Sequence, residues 1–165
     1  MNKYKTMRYA DINLNDTANG PGVCVSIWLQ GCGRHCKGCF NPQTWDFEGG
    51  KPFGMAEMQK ILKGISANGI LRNVNILGGE PMAEQNLFTT AYIVSSIREW
   101  YGNSIEIYLW SGYTLQELKD RESNAVNSIL DDIDVLIDGP FEEDKKDLTL
   151  YLRGSSNQTI HYLKK

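Results

Sequence analysis

At 165 residues, 41% of them hydrophobic and 22% charged, the chain has the composition of one globular domain that can bury its own core without disulfides. A net charge of -3 gives no general attraction to phosphate backbones, and with no local basic patch in the sequence nucleic acid is excluded as the expected partner. No stretch approaches the roughly 18 apolar residues of a membrane span, and no long apolar run follows the basic residues of the amino terminus, so no membrane role is expected and the reading is a cytoplasmic domain.

In chain order, Val23, Val25, Ile27 and Leu29 alternate and predict a strand from Val23 to Gln30 that runs into Gly31 and a group of cysteines. Met55, Met58, Ile61, Leu62 and Ile65 recur at helical spacing after the Gly/Pro-rich approach of Gly49, Gly50, Pro52 and Gly54. Val74 to Leu77 predicts a second strand, stopped by Gly78-Gly79-Glu80-Pro81, and Leu87, Ala91, Val94 and Ile97 mark a second helix. A third strand fits Ile105 to Trp110 and ends at Ser111-Gly112-Tyr113. Leu115, Leu118, Val126, Ile129 and Leu130 then predict one further helix before Val135 to Ile137, a strand closed by Asp138-Gly139-Pro140.

Strands separated by helices imply parallel pairing, and in such sheets ligands collect at the carboxyl ends of the strands, so all four turns are expected to face one site. The charged run Glu142 to Asp147 reads as a solvated loop. Beyond it the alternation of Leu148, Leu150 and Leu152 predicts an edge strand, followed by the polar segment Arg153 to Gln158 and a short tail in which His161 holds an ordinary position.

Three of the four cysteines, Cys32, Cys36 and Cys39, lie within eight residues, too close for a disulfide framework and typical of metal ligation in a reducing compartment. Soft thiolates suit an iron-sulfur cluster or zinc. A closed zinc site needs a fourth ligand. Cys24 stands eight residues back on a predicted strand, which at about 3.3 Å per residue places it far from the loop; it reads as core. His35 sits in the loop but directly before Cys36, awkward for the same metal. A 4Fe-4S cluster on three cysteines leaves one iron without a protein ligand, where a substrate can bind.

The three-and-two spacing of Cys32, Cys36 and Cys39 resembles the signature of the radical S-adenosylmethionine enzymes, and Gly78 to Pro81 resembles the turn that closes the next strand in that superfamily. The resemblance implies an α/β fold of one domain over residues 1–165, an open, partial parallel β/α barrel with its cluster loop at 31–41. It also implies one 4Fe-4S cluster, S-adenosylmethionine as cofactor, and reductive cleavage to a 5'-deoxyadenosyl radical. Physically, Gly78 and Gly79 let backbone approach a ligand closely and Glu80 offers a carboxylate to a cationic amino group. Alone, Glu80 reads as a solvated turn acid; beside the cysteine loop it reads as a ligand contact. Many members have an aromatic residue directly before the third cysteine. Here Gly38 stands there with Phe40 just after, and these two are expected to flank adenine. Ser111 and Asp138 end strands on the same face and are candidates for ribose, methionine or substrate contacts, against turn formation and helix capping as the plain alternatives.

Within the superfamily the chain resembles the activating proteins of anaerobic, class III ribonucleotide reductase. The likeness runs from Tyr9-Ala10-Asp11 through Asn19-Gly20-Pro21-Gly22, the cysteine loop to Asn41, and Gly78 to Pro81. It continues through Trp110 to Tyr113, Asp138 to Phe141, Asp147-Leu148-Thr149 and Arg153 to Gln158. It implies a protein substrate, the reductase large subunit, whose glycine Cα loses a hydrogen to leave a glycyl radical, and a flavodoxin-type electron donor. The segment 141–165 is a candidate partner-facing surface. With only Cys24 left over, one cluster is all the chain can hold. Trp28, Trp45 and Trp110 read as packing groups. The competing readings are an activase of another glycyl radical enzyme, of pyruvate formate-lyase type, a zinc-stabilised binding module without turnover, and a radical enzyme acting on a purine precursor.

Overall fold

The computed structural model describes residues 6–164; residues 1–5 and 165, the ends of the expected domain and of its 141–165 segment, lie outside the described residues. Among the described residues seven strands form one mixed sheet that does not close. Its parallel centre is β2 (Cys24–Leu29), β4 (Asn73–Gly78), β5 (Ile107–Trp110) and β6 (Val135–Asp138), in register from Ile27 beside Ile76 to Leu109 beside Leu136. β1 (Arg8–Asp16) runs antiparallel to β2, with Ile12 beside Ile27, and carries the two-residue β3 (Lys51–Pro52) on its outer edge. At the other edge β7 (Thr159–Tyr162) runs antiparallel to β6.

The helices α1 (Met55–Ile65) and α2 (Leu87–Tyr101) connect the parallel strands from β2 to β5, and α3 (Leu115–Asp120) with α4 (Asn124–Asp132) connects β5 to β6. In α1 the helical period turns Met58, Ile61 and Ile65 inward and leaves Met55 outside, while the Glu57 side chain accepts from the Gly54 N–H at the helix start. These meet Ile27, Ile76, Ile93, Ile97, Ile107 and Leu109 in the main core, each fully buried aliphatic group contributing roughly 1.5–3 kcal/mol. The opposite face of β5 and β6 has a smaller cluster of Tyr108, Val135 and Ile137, covered by Trp110, Leu152 and Ile160.

Three expectations are corrected. The single helix over Leu115 to Leu130 is two helices. Thr114 caps the first through Glu117 N, Ser123 caps the second through Val126 N, and Glu122 between them has a left-handed φ of 50° that an α-helix cannot contain. Leu148, Leu150 and Leu152 form no strand. Asp147 Oδ1 accepts from the N–H and hydroxyl of Thr149 in a local turn, and Leu152 has φ 59°. The edge strand on β6 is β7, in the stretch expected to be a tail, which places His161 beside Leu136. β1 and β3 escaped the sequence reading altogether, although Ala10, Ile12 and Leu14 alternate with the exposed Asp11, Asn13 and Asn15 and so carry the strand period of β1, which pairs with β2.

Candidate functional site

β2 delivers the chain into the cysteine loop, and a set of backbone bonds closes that loop at its base. Gly31 N donates to Thr44 O over 2.7 Å and Cys32 N to Trp45 O over 3.0 Å. The buried Gln30 amide donates to the carbonyls of Gln43 and Asp46. Cys32, Cys36 and Cys39 are free, half-buried thiols within this loop, whereas Cys24 is fully buried at the far end of β2 with its thiol on the Pro21 carbonyl. Burial pushes the Cys32 thiol up; the backbone N–H groups of Arg34 and His35 pull against this, and the Glu80 charge adds to it. The His35 ring stacks on Trp45 at 4.4 Å, so both rings pack on each other. Among the described residues no three His, Cys, Asp or Glu side chains gather around a single metal-ion position. In a 4Fe-4S cluster each thiolate holds its own iron, and a loop of three thiolates with glycines at 33 and 38 fits that demand.

The turn after β4 is laced to the mouth of this loop. Gly79 N donates to Leu29 O over 2.9 Å and Glu80 N to Gly31 O over 2.8 Å. Gly78 has φ 108°, and a Cβ there would lie 2.7 Å from Leu29 N; one on Gly79 would collide with the Gly31 carbonyl. Only glycines allow this approach. Asn86, which no motif in the sequence points to, donates to both Gly31 O and Glu80 O from inside α2's approach.

Glu80 is 2% exposed. Its Oε1 accepts from Met82 N (3.0 Å) and the Ser111 hydroxyl (2.8 Å), and its Oε2 from Gly112 N (2.6 Å). Burial raises its pKa above the ordinary carboxylate range, while these three donors and the Arg34 charge act to lower it. Glu80 is thus no solvated turn acid. A carboxylate offers about four acceptor positions, so one place beyond the three donors remains.

Of the remaining candidates, Ser111 joins Glu80 directly. Gly38, with φ 74°, and Phe40 lie on the other side of the cysteine loop, against the chain after β6. A Cβ on Gly38 would meet Glu143, Lys37 pairs with Glu143 at 3.6 Å, and the half-exposed Phe40 ring sits 4.9 Å from Phe141 with Lys146 Nζ 5.3 Å away. The Asp138 carboxylate turns toward α3 and β7: Oδ2 accepts from Leu115 N over 2.6 Å and lies 2.9 Å from His161 Nε2, which lacks hydrogen-bond geometry to it. A groove of about 500 Å³ opens beside that pair, lined by Thr114, Gln116, Lys119 and Glu142 among others.

A soft three-thiolate loop bound to a Gly-Gly-Glu-Pro turn agrees with what the chain is similar to. The family described as a 4Fe-4S single cluster domain matches residues 18–161. The protein named anaerobic ribonucleoside-triphosphate reductase-activating protein in Escherichia coli (strain K12) is 37% identical over 160 residues, covering 96% of this chain and all of the relative. The chain belongs to this family of activating proteins. A protein of the same name from Pasteurella multocida is 36% identical across 94% of the chain and 97% of its own length. The one from Enterobacteria phage T4 is 32% identical across 93% of each. No helix among the described residues is long and apolar enough to cross a membrane.

Proposed function

We propose that this chain activates an anaerobic ribonucleotide reductase by radical S-adenosylmethionine chemistry, with a 4Fe-4S cluster held by Cys32, Cys36 and Cys39. The observation that carries the reading is the lacing of two motifs: Glu80 N and Asn86 Nδ2 both donate to Gly31 O, one residue before the first cluster cysteine. When bound, the cluster supplies the electron that cleaves S-adenosylmethionine, and the 5'-deoxyadenosyl radical so released takes hydrogen from a glycine Cα of the reductase.

The chain's own residues bind and orient. Glu80, fixed by three donors, directs its remaining acceptor position at the cationic amino group of the methionine moiety. Gly78 and Gly79 lack the Cβ atoms that would strike the end of β2 and Gly31, and so bring the turn that holds Glu80 against the cysteine loop. Ser111 holds the Glu80 carboxylate in place. Phe40 and Gly38 border the adenine, with Phe141 fixing one side of the Phe40 ring. Asp138 ties the end of β6 to the start of α3, and the Asn157 and Gln158 amides close the 139–158 segment by donating to the Pro140 and Gly139 carbonyls. The open sheet is read as a partial barrel of the radical S-adenosylmethionine type, and its uncovered side suits a docked protein loop better than a small substrate that must be shielded from water. The 141–165 segment beside Phe40 is the surface that faces the reductase, a flavodoxin-type protein is the reductant, and the cytoplasm is the compartment.

The test is anaerobic reconstitution with iron and sulfide, reduction, and addition of S-adenosylmethionine with the anaerobic reductase of the same organism. The expected result is a glycyl doublet in the electron paramagnetic resonance spectrum together with 5'-deoxyadenosine. Deoxyadenosine without a doublet would reassign the substrate. Zinc in place of iron, with neither product, would reject the enzyme.

A further inference from the structure

Arg34 lies midway between Cys32 and Cys36 and has no part in the chemistry above. Its guanidinium stands over the Tyr113 ring, 4.7 Å from the centroid, and Arg121 approaches the same ring at 4.2 Å. The Arg34 stem crosses Gly112 so closely that a Cβ there would strike its Cδ; that Cβ would lie 2.7 Å from Arg34 Nε and 3.1 Å from Glu80 Oε2. The cysteine loop is thereby anchored to the turn after β5, the same turn whose Gly112 N and Ser111 hydroxyl hold Glu80.

Two further features separate Arg34 from a surface arginine. Its Nε is buried without a hydrogen-bond partner. Among the described residues no carboxylate lies at ion-pair distance from it, in contrast to Lys37, Arg98, Arg121 and Lys145. The loop therefore holds a permanent positive charge between two of its three cysteines, in no direct ion pair, although Glu80 and Glu117 interact with it through space. Charge is one of the quantities that set the potential of an iron-sulfur cluster, and a half-buried guanidinium is screened less than one in open water.

We propose that Arg34 is a positioning residue with an electrostatic role. It clamps the Cys32 to Cys36 half of the loop onto Tyr113, and its charge favours the reduced cluster, which has gained one electron and one negative charge. This rests on the cluster assignment above. A neutral side chain at this position leaves the reduced state less stabilised and loosens the loop.

The experiment compares wild type, Arg34→Gln and Arg34→Lys. Midpoint potentials are read from redox titrations of the reconstituted proteins, and amide hydrogen exchange of residues 32–36 from the same three proteins before reconstitution. Arg34→Gln is expected to exchange faster in that segment and to shift the reduction equilibrium roughly tenfold toward the oxidised cluster, about 59 mV for one electron. Arg34→Lys, which keeps charge but not the planar stack, is expected to exchange faster with a potential near wild type. An Arg34→Gln potential equal to that of wild type overturns the electrostatic role. Unchanged exchange overturns the clamp, and decides the matter if Arg34→Gln holds no iron. Wild-type protein that takes up no iron or sulfide would reject the cluster assignment, leaving the clamp to be judged on exchange alone.

Discussion

Ser111 donates its hydroxyl to Glu80 Oε1 over 2.8 Å and accepts from Tyr113 N over 3.1 Å, so one small side chain fastens the end of β5 to the turn that closes β4. Both residues are almost fully buried. Ser111→Ala removes the donor to Glu80 and leaves the Tyr113 N–H without its acceptor. The expected loss is about 1–3 kcal/mol in denaturant unfolding, and Ser111→Thr, which keeps the hydroxyl, should lose less.

The cysteines divide by position in the sheet. Replacing Cys32, Cys36 or Cys39 with Ala should abolish both a stable cluster and S-adenosylmethionine cleavage. Cys24→Ala should keep iron and sulfide content at the wild-type level while lowering stability by about 1 kcal/mol for the lost buried sulfur. Iron and sulfide analysis of the four variants checks this, and full activity in Cys36→Ala would overturn the ligand assignment.

Phe40 is half exposed beside the cysteine loop, and its ring rests on Phe141. An aromatic ring under a nucleobase is worth about 1–3 kcal/mol, so Phe40→Ala should weaken S-adenosylmethionine binding about fivefold or more, with Phe40→Tyr close to wild type. Equilibrium binding to the reconstituted protein is the measurement, and unchanged affinity in Phe40→Ala removes the adenine contact.

Asp16 makes stability depend on pH. Burial alone would raise its pKa, but hydrogen bonds from the Ser26 hydroxyl, the Asn19 amide and the Ala18 N–H outweigh burial and hold it below the ordinary value of 3.8. Because the folded state binds the proton less readily than the unfolded chain, this contribution is complete above about pH 4 and is lost as pH falls through the folded pKa. Asp16→Asn should be less stable than wild type at pH 7, and the gap should narrow below pH 4. Melting temperatures of both proteins between pH 7 and pH 3 decide it.

Read alone, the sequence determined the four parallel strands of the centre, the helices α1 and α2, and the two motifs of the site. Each of these is local: apolar period, turn glycines, and thiolates close enough along the chain to share one object. Tertiary structure decided what depends on pairing across distance. Arg8 to Asp16 carries a local alternation in Ala10, Ile12 and Leu14, but its place between β2 and β3 comes from pairing, and Thr159 to Tyr162 took the sheet edge expected of Leu148 to Leu152 because β6 accepts it in register. The split between α3 and α4 was partly legible in Ser123, a good cap, but the left-handed Glu122 was not. Glu80 was singled out from its motif, yet two of its three donors, the Ser111 hydroxyl and Gly112 N, come from the turn after β5 about thirty residues away, and only Met82 N is local. The same holds for Arg34: its loop position is plain in the sequence, but only folding brings the Tyr113 ring and the close backbone of Gly112 against it.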